Sequence, residues 1–194
     1  MTYGGYDAFD DPYCYKGTVV LKNKAGLRHI GALRDFELEM SSLRAEEPLP
    51  VGCFDPNHYK AIHRHLFQDV YRWAGRYRTV RTAKDGNAFC YPEYIDAQMN
   101  LLFARLKDEP FTGSSSFDEF VTAAAEYLAE LNAIHPFRDG NGRSQLSFLF
   151  LIAARAGYPL DLSRIEPASF LAAMIASFSG EVHLLRTELV RLKT

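Results

Sequence analysis

Nine consecutive residues in the second half of the chain combine several groups that could do chemistry. From His135 to Arg143 they read His-Pro-Phe-Arg-Asp-Gly-Asn-Gly-Arg. Pro136 ends a preceding helix, so His135 is predicted at the start of a loop with its imidazole accessible. An imidazole with an unperturbed pKa of about 6.5 suits a general base at neutral pH. The loop therefore offers a candidate base, and Phe137 is expected to anchor it in the core.

The second half of this stretch could hold a phosphate. Gly140, Asn141 and Gly142 predict a tight turn into a helix, whose first N–H groups bind anions. Arg143, in the first helical turn, is unfavourable there unless an anion lies nearby. Asp139 would repel that anion unless Mg²⁺ bridges carboxylate and phosphate. The pattern predicts a phosphate cradle with a metal carboxylate; the alternative is an ordinary Gly-rich corner between two helices.

Periodic apolar residues predict the helices that must position this loop. Asp55 and Pro56 are typical of a helix start, and that helix is expected to end near Gly75. Ser116 and Glu119 form a capping box at the start of a later helix. The remaining helices are predicted within residues 26–48, 95–106, 142–156 and 181–192, and a further one begins at Pro167. Residues 142–156 are expected to be buried all round, and Phe170, Leu171, Met174 and Ile175 to point inward.

One segment breaks the helical pattern. Residues 77–82 and 88–91 favour extended structure, and Asp85-Gly86 between them is a turn signal. We predict a short β-hairpin there. The fold class that follows is an all-α domain with one hairpin attached, in which residues 1–25 form an irregular N-terminal arm and residues 26–194 a single domain.

The His135–Arg143 stretch resembles the signature of the Fic domain, His-Pro-Phe-x-Asp/Glu-Gly-Asn-Gly/Lys-Arg-x-x-Arg. Residues 69–75 and 78–80 are similar to the segment that leads into the Fic flap hairpin, and residues 84–93 to the flap itself. The resemblance covers roughly residues 12–190. It implies a Fic-type helical bundle with a short β-hairpin flap over the active site.

The resemblance also implies an activity. It is a protein adenylyltransferase that moves AMP from ATP to a Tyr, Thr or Ser hydroxyl of a target protein. His135 would be the general base, and Asp139 would hold Mg²⁺ against the phosphates. The implied nucleotide-binding residues are Lys84, Asn132, Gly140, Asn141, Gly142 and Arg143. The implied flap residues, which would hold the target as an added β-strand, are Thr79, Val80, Arg81, Thr82 and Phe89.

One position departs from the signature. The second arginine of the family, which helps to bind the γ-phosphate and pairs with an inhibitory glutamate, is replaced by Leu146. The inhibitory pattern Ser/Thr-x-x-x-Glu-Gly/Asn is approached at residues 42–47 and 177–182, but neither stretch completes it. We therefore expect inhibition to come from a separate small antitoxin chain, as in the family branch of bacterial toxin–antitoxin pairs.

The charges are unevenly distributed. The 22 Lys/Arg and 24 Asp/Glu give a net charge of −2, which argues against a globally basic nucleic-acid binder. Residues 60–84 nevertheless carry seven Lys/Arg against one Asp, a net +6, which leaves −8 for the remainder. Nucleic acid and an acidic target surface are both compatible with this band. The resemblance places its end beside a triphosphate and a target strand, so direct nucleic-acid binding is not expected.

Location is indicated by what the sequence lacks. The N-terminus has no signal-peptide pattern, and the longest apolar run, Phe148–Ala154, is too short to cross a membrane. Cys14, Cys53 and Cys90 are odd in number and widely spaced, which predicts buried free thiols. We expect a cytoplasmic protein, or one delivered into another cell, without membrane contact.

Two other functions are compatible with these residues. One is a phosphotransferase like the Doc branch, which moves the γ-phosphate; that branch has Lys where Gly142 stands, but Leu146 alters the γ-phosphate clamp. The other is a catalytically silent nucleotide-binding module. The target is not specified by the sequence, and type II topoisomerase subunits, which related bacterial toxins modify, are an expectation for the family as a whole.

Overall fold

The computed structural model describes residues 11–84, 86–108, 110–113 and 115–194. Within these ranges the chain forms seven α-helices and one two-stranded hairpin. The helices are α1 (Ile30–Ala45), α2 (Pro56–Phe67), α3 (Ile95–Ala104), α4 (Phe117–Ile134), α5 (Asn141–Arg155), α6 (Pro167–Ala176) and α7 (Val182–Arg191). The strands are β1 (Ala83–Lys84) and β2 (Asn87–Ala88). The predicted all-α fold class with one hairpin is confirmed.

Helix α4 lies in the middle of the fold and packs against α3, α5 and α7. It begins in the predicted capping box, because Ser116 Oγ accepts from the Glu119 N–H and the Glu119 carboxylate accepts from the Ser116 N–H. The predicted inner face is buried and consists of Phe120, Ala124, Tyr127, Leu128 and Leu131. The end of α4, where the His135 loop begins, is therefore held by the core.

Helix α2 begins as predicted and ends earlier. Asp55 Oδ1 accepts from the His58 N–H at 2.7 Å, and Pro56 occupies the first helical position. The end expected near Gly75 was wrong, since the helix stops at Phe67. The Val70 N–H bonds to the Phe67 carbonyl, a turn rather than helical geometry, and Gly75 adopts φ 80°. The chain turns back there onto α2 itself.

The hairpin is shorter than its sequence suggests. Ala83 pairs with Ala88 and Lys84 with Asn87, and the Phe89 N–H to Thr82 carbonyl bond extends the pairing. Asp85 of the predicted turn lies outside the described residues. The ladder does not reach back over residues 77–81, because Arg78 turns into the core instead.

Two burial predictions were wrong. Helix α5 is not buried all round, since Phe150 is 38% exposed. On α6, Phe170 and Met174 point inward as expected, but Leu171 and Ile175 are 52% and 44% exposed. All four side chains line an open cavity, but only Phe170 and Met174 also belong to the buried core. An apolar period alone does not separate these two surroundings.

Residues 11–25 lack a helix but contribute to the core. Cys14 and Leu21 form a β-bridge and are buried together with Val20. Residues 1–10 of the predicted arm lie outside the described residues, so the division into arm and domain stays a prediction. All three cysteines are free; Cys14 is buried, whereas Cys53 is exposed and Cys90 half-buried, against the expectation of three buried thiols. No helix in the described ranges could span a membrane.

Candidate active site

His135 occupies an unusual backbone position directly after α4. It caps the helix with φ 48° and ψ 62°, in the left-handed region that costs energy for a residue with a side chain. Its N–H donates to the Leu131 carbonyl, and Pro136 then ends the helix. The imidazole is consequently turned toward a cavity between α4, α5 and α6. Strain of this kind is concentrated at functional residues, which makes His135 the leading catalytic candidate.

The surroundings keep the His135 imidazole neutral. Nδ1 lies 3.3 Å from the Asn132 carbonyl, so Nδ1 carries the proton and Nε2 keeps its lone pair. Burial lowers the pKa of His135 to about 3, against a smaller opposing effect of the Asn132 bond. The Phe89 ring stacks on the imidazole at 3.8 Å between centroids and 13° between planes. A neutral imidazole fixed in this way can accept a proton.

The loop after His135 is closed by its own side chains. Asn141 Oδ1 accepts from the Phe137 N–H at 2.9 Å, and Asn141 Nδ2 donates to the Phe137 carbonyl at 2.8 Å. Phe137 is fully buried, which confirms its predicted anchoring role. Gly140 caps α5 in the left-handed region, so the first N–H groups of α5 face outward from a rigid turn. The side chain of Asn141 serves the loop, and only its backbone is left for an anion.

His63 on α2 holds this loop through hydrogen bonds and ring packing. Its Nδ1 accepts from the Gly75 N–H at 2.9 Å, and its Nε2 donates to the Asp139 carbonyl at 3.0 Å. Its ring packs on Phe137 with 3.8 Å between centroids. Burial lowers the pKa of His63 to about 3, which is consistent with one ring nitrogen donating and the other accepting. His63 thus joins the α2 turn to the motif.

Asp139 has the surroundings of a cation ligand. Its Oδ1 accepts from the Gly140 N–H at 2.7 Å. Burial, followed by the nearby Glu37 carboxylate, raises the pKa of the Asp139 carboxyl above its usual range. The two carboxylates offer oxygen ligands, which suit a hard divalent cation that also binds phosphate. The residues present therefore fit Mg²⁺ held by Asp139 and substrate oxygens.

Arg143 is paired with side chains of α1. Its guanidinium forms an ion pair with Glu37 of α1 and donates to Ser41 Oγ at 2.7 Å. Tyr71 donates its hydroxyl proton to the same Glu37 carboxylate. The Arg143 guanidinium also lies over the Phe67 ring, 4.5 Å from its centroid. Sequence reasoning missed Glu37 and Tyr71, because no local pattern links α1 to the start of α5.

A cavity of about 390 Å³ opens beside His135 and has the size of a small-molecule site. Five predicted site residues meet on its wall: Lys84 and Phe89 from the flap, Asn132, His135 and Gly142. Its apolar side comes mainly from α6 and the turn after it and includes Phe170, Leu171, Met174, Ile175 and Phe178. Leu146 lies where the family signature has a cation, so this wall is apolar as well. The sequence contained no signal for the α6 contribution.

Gln145 is a polar group that sequence reasoning missed. It lines the cavity, is 2% exposed, and its Nε2 has no hydrogen-bond partner among the described residues. The other cavity amide, Asn132, does have a partner, because its Nδ2 donates to the Met174 carbonyl at 3.0 Å. A buried amide without a partner costs free energy unless a ligand or water satisfies it. Gln145 is therefore placed to bind whatever occupies the cavity.

The predicted docking residues divide into two groups. Thr79 and Arg81 are exposed and Val80 half-buried, but the Thr79 N–H donates to the Tyr13 hydroxyl at 3.2 Å and the Val80 carbonyl accepts from Arg78 at 2.8 Å. Thr82 and Phe89 are 1% and 4% exposed and face inward, Phe89 against His135. Their side chains are therefore turned away from a docked strand, which would pair with backbone groups only, and their docking role stays a prediction. Phe89 instead positions the imidazole.

Gly140→Ala is expected to destabilise the protein strongly. A Cβ at Gly140 would lie 2.4 Å from two atoms of the Phe67 ring, and φ there is +75°. Strain and overlap together should cost about 2–4 kcal/mol in the free energy of unfolding. Gly142→Ala is the matched control, because nothing lies within 4 Å of its Cβ position and its φ is not positive. Urea denaturation of both variants tests this, and equal stability of the two would contradict it.

The helical fold and the His135–Arg143 loop define the class of this protein. The model of the Fic/DOC family matches residues 53–153, which include the flap, α4 and the whole motif. The chain belongs to the Fic/DOC family.

Individual relatives resemble nearly the whole chain. A protein of Sinorhizobium fredii named "Probable protein adenylyltransferase y4lH" is 50% identical over 188 residues, which cover 96% of this chain and 98% of that one. The protein adenylyltransferase VbhT of Bartonella schoenbuchensis is 35% identical over 93% of this chain and 38% of its own length. The BepC effector of Bartonella tribocorum, solved with bound AMPPNP, matches with a TM-score of 0.83 and 28% identity over 94% of this chain and 96% of that one.

Proposed function

We propose that this protein is a protein adenylyltransferase that transfers AMP from ATP to a Tyr, Thr or Ser hydroxyl of a target protein. The observation that carries the proposal is the neutral, strained His135 at the edge of a nucleotide-sized cavity, next to the N-terminus of α5. The relatives named protein adenylyltransferase and the AMPPNP bound by BepC support it.

In the proposed reaction, His135 Nε2 takes the proton of the target hydroxyl. The hydroxyl oxygen forms a bond to the α-phosphorus of ATP, and the bond from that phosphorus to the bridging oxygen of the β-phosphate breaks. AMP stays on the target and pyrophosphate leaves. Such chemistry depends on positioning and charge neutralisation rather than on a covalent enzyme intermediate.

Each remaining motif residue has a proposed task. The N–H groups of Gly140, Asn141 and Gly142 cradle the phosphates at the helix N-terminus. Asp139 holds Mg²⁺, which when bound neutralises phosphate charge. Lys84 from the flap and Asn132 from α4 contact the nucleotide from the cavity wall.

Arg143 is proposed to bind the leaving pyrophosphate. To do so its guanidinium must exchange the Glu37 carboxylate for phosphate oxygens, since the two groups are paired in this structure. Glu37 would then be released beside Asp139. The exchange leaves the Glu37 carboxylate without its cation, so it costs free energy that the interactions of the incoming phosphates must offset.

The biological setting is proposed from the family resemblance. The target strand would dock along Thr79, Val80 and Arg81, with type II topoisomerase subunits as the first candidates to test. A separate small antitoxin would supply the inhibitory helix, since neither near-match in this chain completes the inhibitory pattern. The protein would act in the cytoplasm of the producing cell or of a cell into which it is delivered.

The test compares two labels of ATP. The protein is incubated with cell lysate and either α-labelled or γ-labelled ATP, with and without Mg²⁺. We expect label on protein from the α position only, and only with Mg²⁺. Transfer from the γ position alone would overturn the proposal in favour of a phosphotransferase, the alternative that stays open because Leu146 alters the γ-phosphate clamp. Mass spectrometry of the labelled protein would identify the target and the acceptor residue.

A further inference from the structure

A second concave site lies beside the turn that follows α2, apart from the cavity at His135. It is a cleft of about 210 Å³ with mostly polar walls. Its lining includes four cationic residues, Lys24, Arg64, Arg72 and Arg76. We call this site the basic cleft. The roles proposed above for the catalytic loop and the flap do not use these four residues.

The positive charge of the basic cleft is compensated only in part from within, because the one acidic residue in the lining, Asp69, interacts with Lys24 as well as with Arg44. All four cationic side chains are exposed, and none forms an ion pair with another residue in the described ranges. The acidic residue in the lining, Asp69, is held by the Arg44 guanidinium of α1 at 2.6 Å. Uncompensated like charges repel one another, so an anionic partner would stabilise this arrangement.

The backbone that carries these cations is fixed before any partner arrives. Gly75 brings the 72–76 turn so close to α2 that a Cβ would lie 2.8 Å from the Arg64 Cβ and 2.9 Å from the Lys60 carbonyl. The Lys24 N–H donates to the Val70 carbonyl at 2.8 Å, which holds the N-terminal segment against the same turn. Residues far apart in sequence are thereby gathered around one cleft, which lowers the entropic cost of binding.

The basic cleft is linked to the active site in two ways. Tyr71 in its lining donates to Glu37, which is paired with Arg143 of the motif. Arg76 stands three residues before Thr79, the first residue of the proposed docking segment, so the two are at most about 11 Å apart along the chain. A protein strand lying on the flap would reach the cleft within a few residues.

We propose that the basic cleft binds an acidic, Asp/Glu-rich segment of the protein that receives AMP; this rests on the proposed function. Guanidinium groups pair with carboxylates through two parallel hydrogen bonds, and three arginines line the cleft. A nucleic acid fits less well. Strong phosphate-backbone binding uses about 6–10 contacts, whereas the cleft offers four cations and the chain outside residues 60–84 carries −8.

The test uses a defined probe and no ATP. A fluorescein-labelled twelve-residue peptide with alternating Glu and Gly, and the same peptide with Gln for Glu, are titrated with the full chain and followed by anisotropy. We expect the Glu peptide alone to bind, with an affinity that falls about tenfold between 50 and 300 mM NaCl. The double variant Arg72→Glu/Arg76→Glu should lose binding at least about tenfold, and Arg72→Gln/Arg76→Gln should lose less.

A matched control separates the cleft from overall charge. Lys16→Glu/Lys107→Glu changes two exposed lysines outside the cleft by the same total charge and should bind the Glu peptide like the wild type. Equal binding of the Gln peptide, equal loss in this control, or tighter binding of tripolyphosphate or of a twelve-nucleotide RNA would each overturn the proposal.

A further measurement tests whether the bound acidic segment belongs to the protein that receives AMP. The unlabelled Glu peptide should compete with AMP transfer to lysate proteins by the wild type, while the binding of the nonhydrolysable analogue AMPPNP stays unchanged. A peptide that binds without competing would overturn the assignment to the acceptor protein. Because the anisotropy assay contains no ATP, failure of AMP transfer leaves its result intact, and the two proposals fail separately.

Discussion

Replacing His135 by asparagine is expected to lower the rate of AMP transfer by about 10³-fold, within the range that general-base catalysis supplies. Asparagine tolerates the left-handed conformation that His135 adopts, so the loop should keep its shape. The amide has no basic lone pair that could replace Nε2. The rate of α-label transfer and the affinity for AMPPNP are measured together, and we expect only the first to change.

His183→Asn is the matched control for this prediction. It changes a histidine on the surface, whose side chain is 68% exposed, and should keep the wild-type rate. A His135→Asn variant that transfers AMP at the wild-type rate would remove His135 from the mechanism. If the wild type itself binds AMPPNP but transfers no AMP, the result would favour the catalytically silent nucleotide-binding module.

The low pKa of His135 predicts how the transfer rate and the free energy of unfolding depend on pH. With a pKa of about 3 the folded imidazole stays neutral between pH 8 and 5, so the transfer rate should not fall through protonation of this group. The unfolded chain takes up that proton below pH 6.5, so the free energy of unfolding decreases as the pH falls, by about 2 kcal/mol at pH 5 from this group. His135→Asn should lose that part of the dependence.

The catalytic loop could be predicted from sequence because its information is local. Pro136 ends α4, the Gly140 turn begins α5, and Phe137 anchors the loop, all within a few residues of His135. The capping box of Ser116 and Glu119 is equally local. Each of these features depends on side chains three or four positions apart, which a sequence pattern records directly.

What could not be predicted depends on contacts between distant segments. Glu37 and Arg143 are 106 positions apart, so nothing in either segment indicates that they pair. Arg143 was expected beside an anion, and the anion it meets is this carboxylate. Leu171 and Ile175 follow a helical period like any core residue, yet they line the cavity without joining the core, whereas Phe170 does both.

The flap depends on one such distant contact. Arg78 is 2% exposed, and its guanidinium donates to four backbone carbonyls. The acceptors are His135 at 2.8 Å, Val80 at 2.8 Å, Cys90 at 2.5 Å and Ile134 at 3.2 Å. Two of these carbonyls belong to the end of α4 and its cap and two to the flap. One side chain therefore fixes the distance between the base and the strand that is proposed to hold the target.

Arg78→Met is expected to destabilise the protein by about 3–5 kcal/mol, because buried carbonyls lose a charged partner that no neighbour replaces. The transfer rate should also fall about 10²-fold under conditions where the variant is still folded, since the flap and His135 lose their common tie. Urea denaturation gives the first quantity, and α-label transfer at low temperature the second.

Arg191→Met is the matched control for this prediction. Arg191 is exposed on α7 and contacts Glu188 at 3.4 Å, so its loss should change stability by less than about 0.5 kcal/mol. Arg78→Lys adds a second comparison, because one ammonium group cannot span four carbonyls on two segments. If Arg78→Lys matched the wild type in both stability and rate, a positive charge at position 78 would be enough to keep the fold and the transfer rate. The fork of hydrogen bonds from Arg78 would then not be what joins the flap to the catalytic loop.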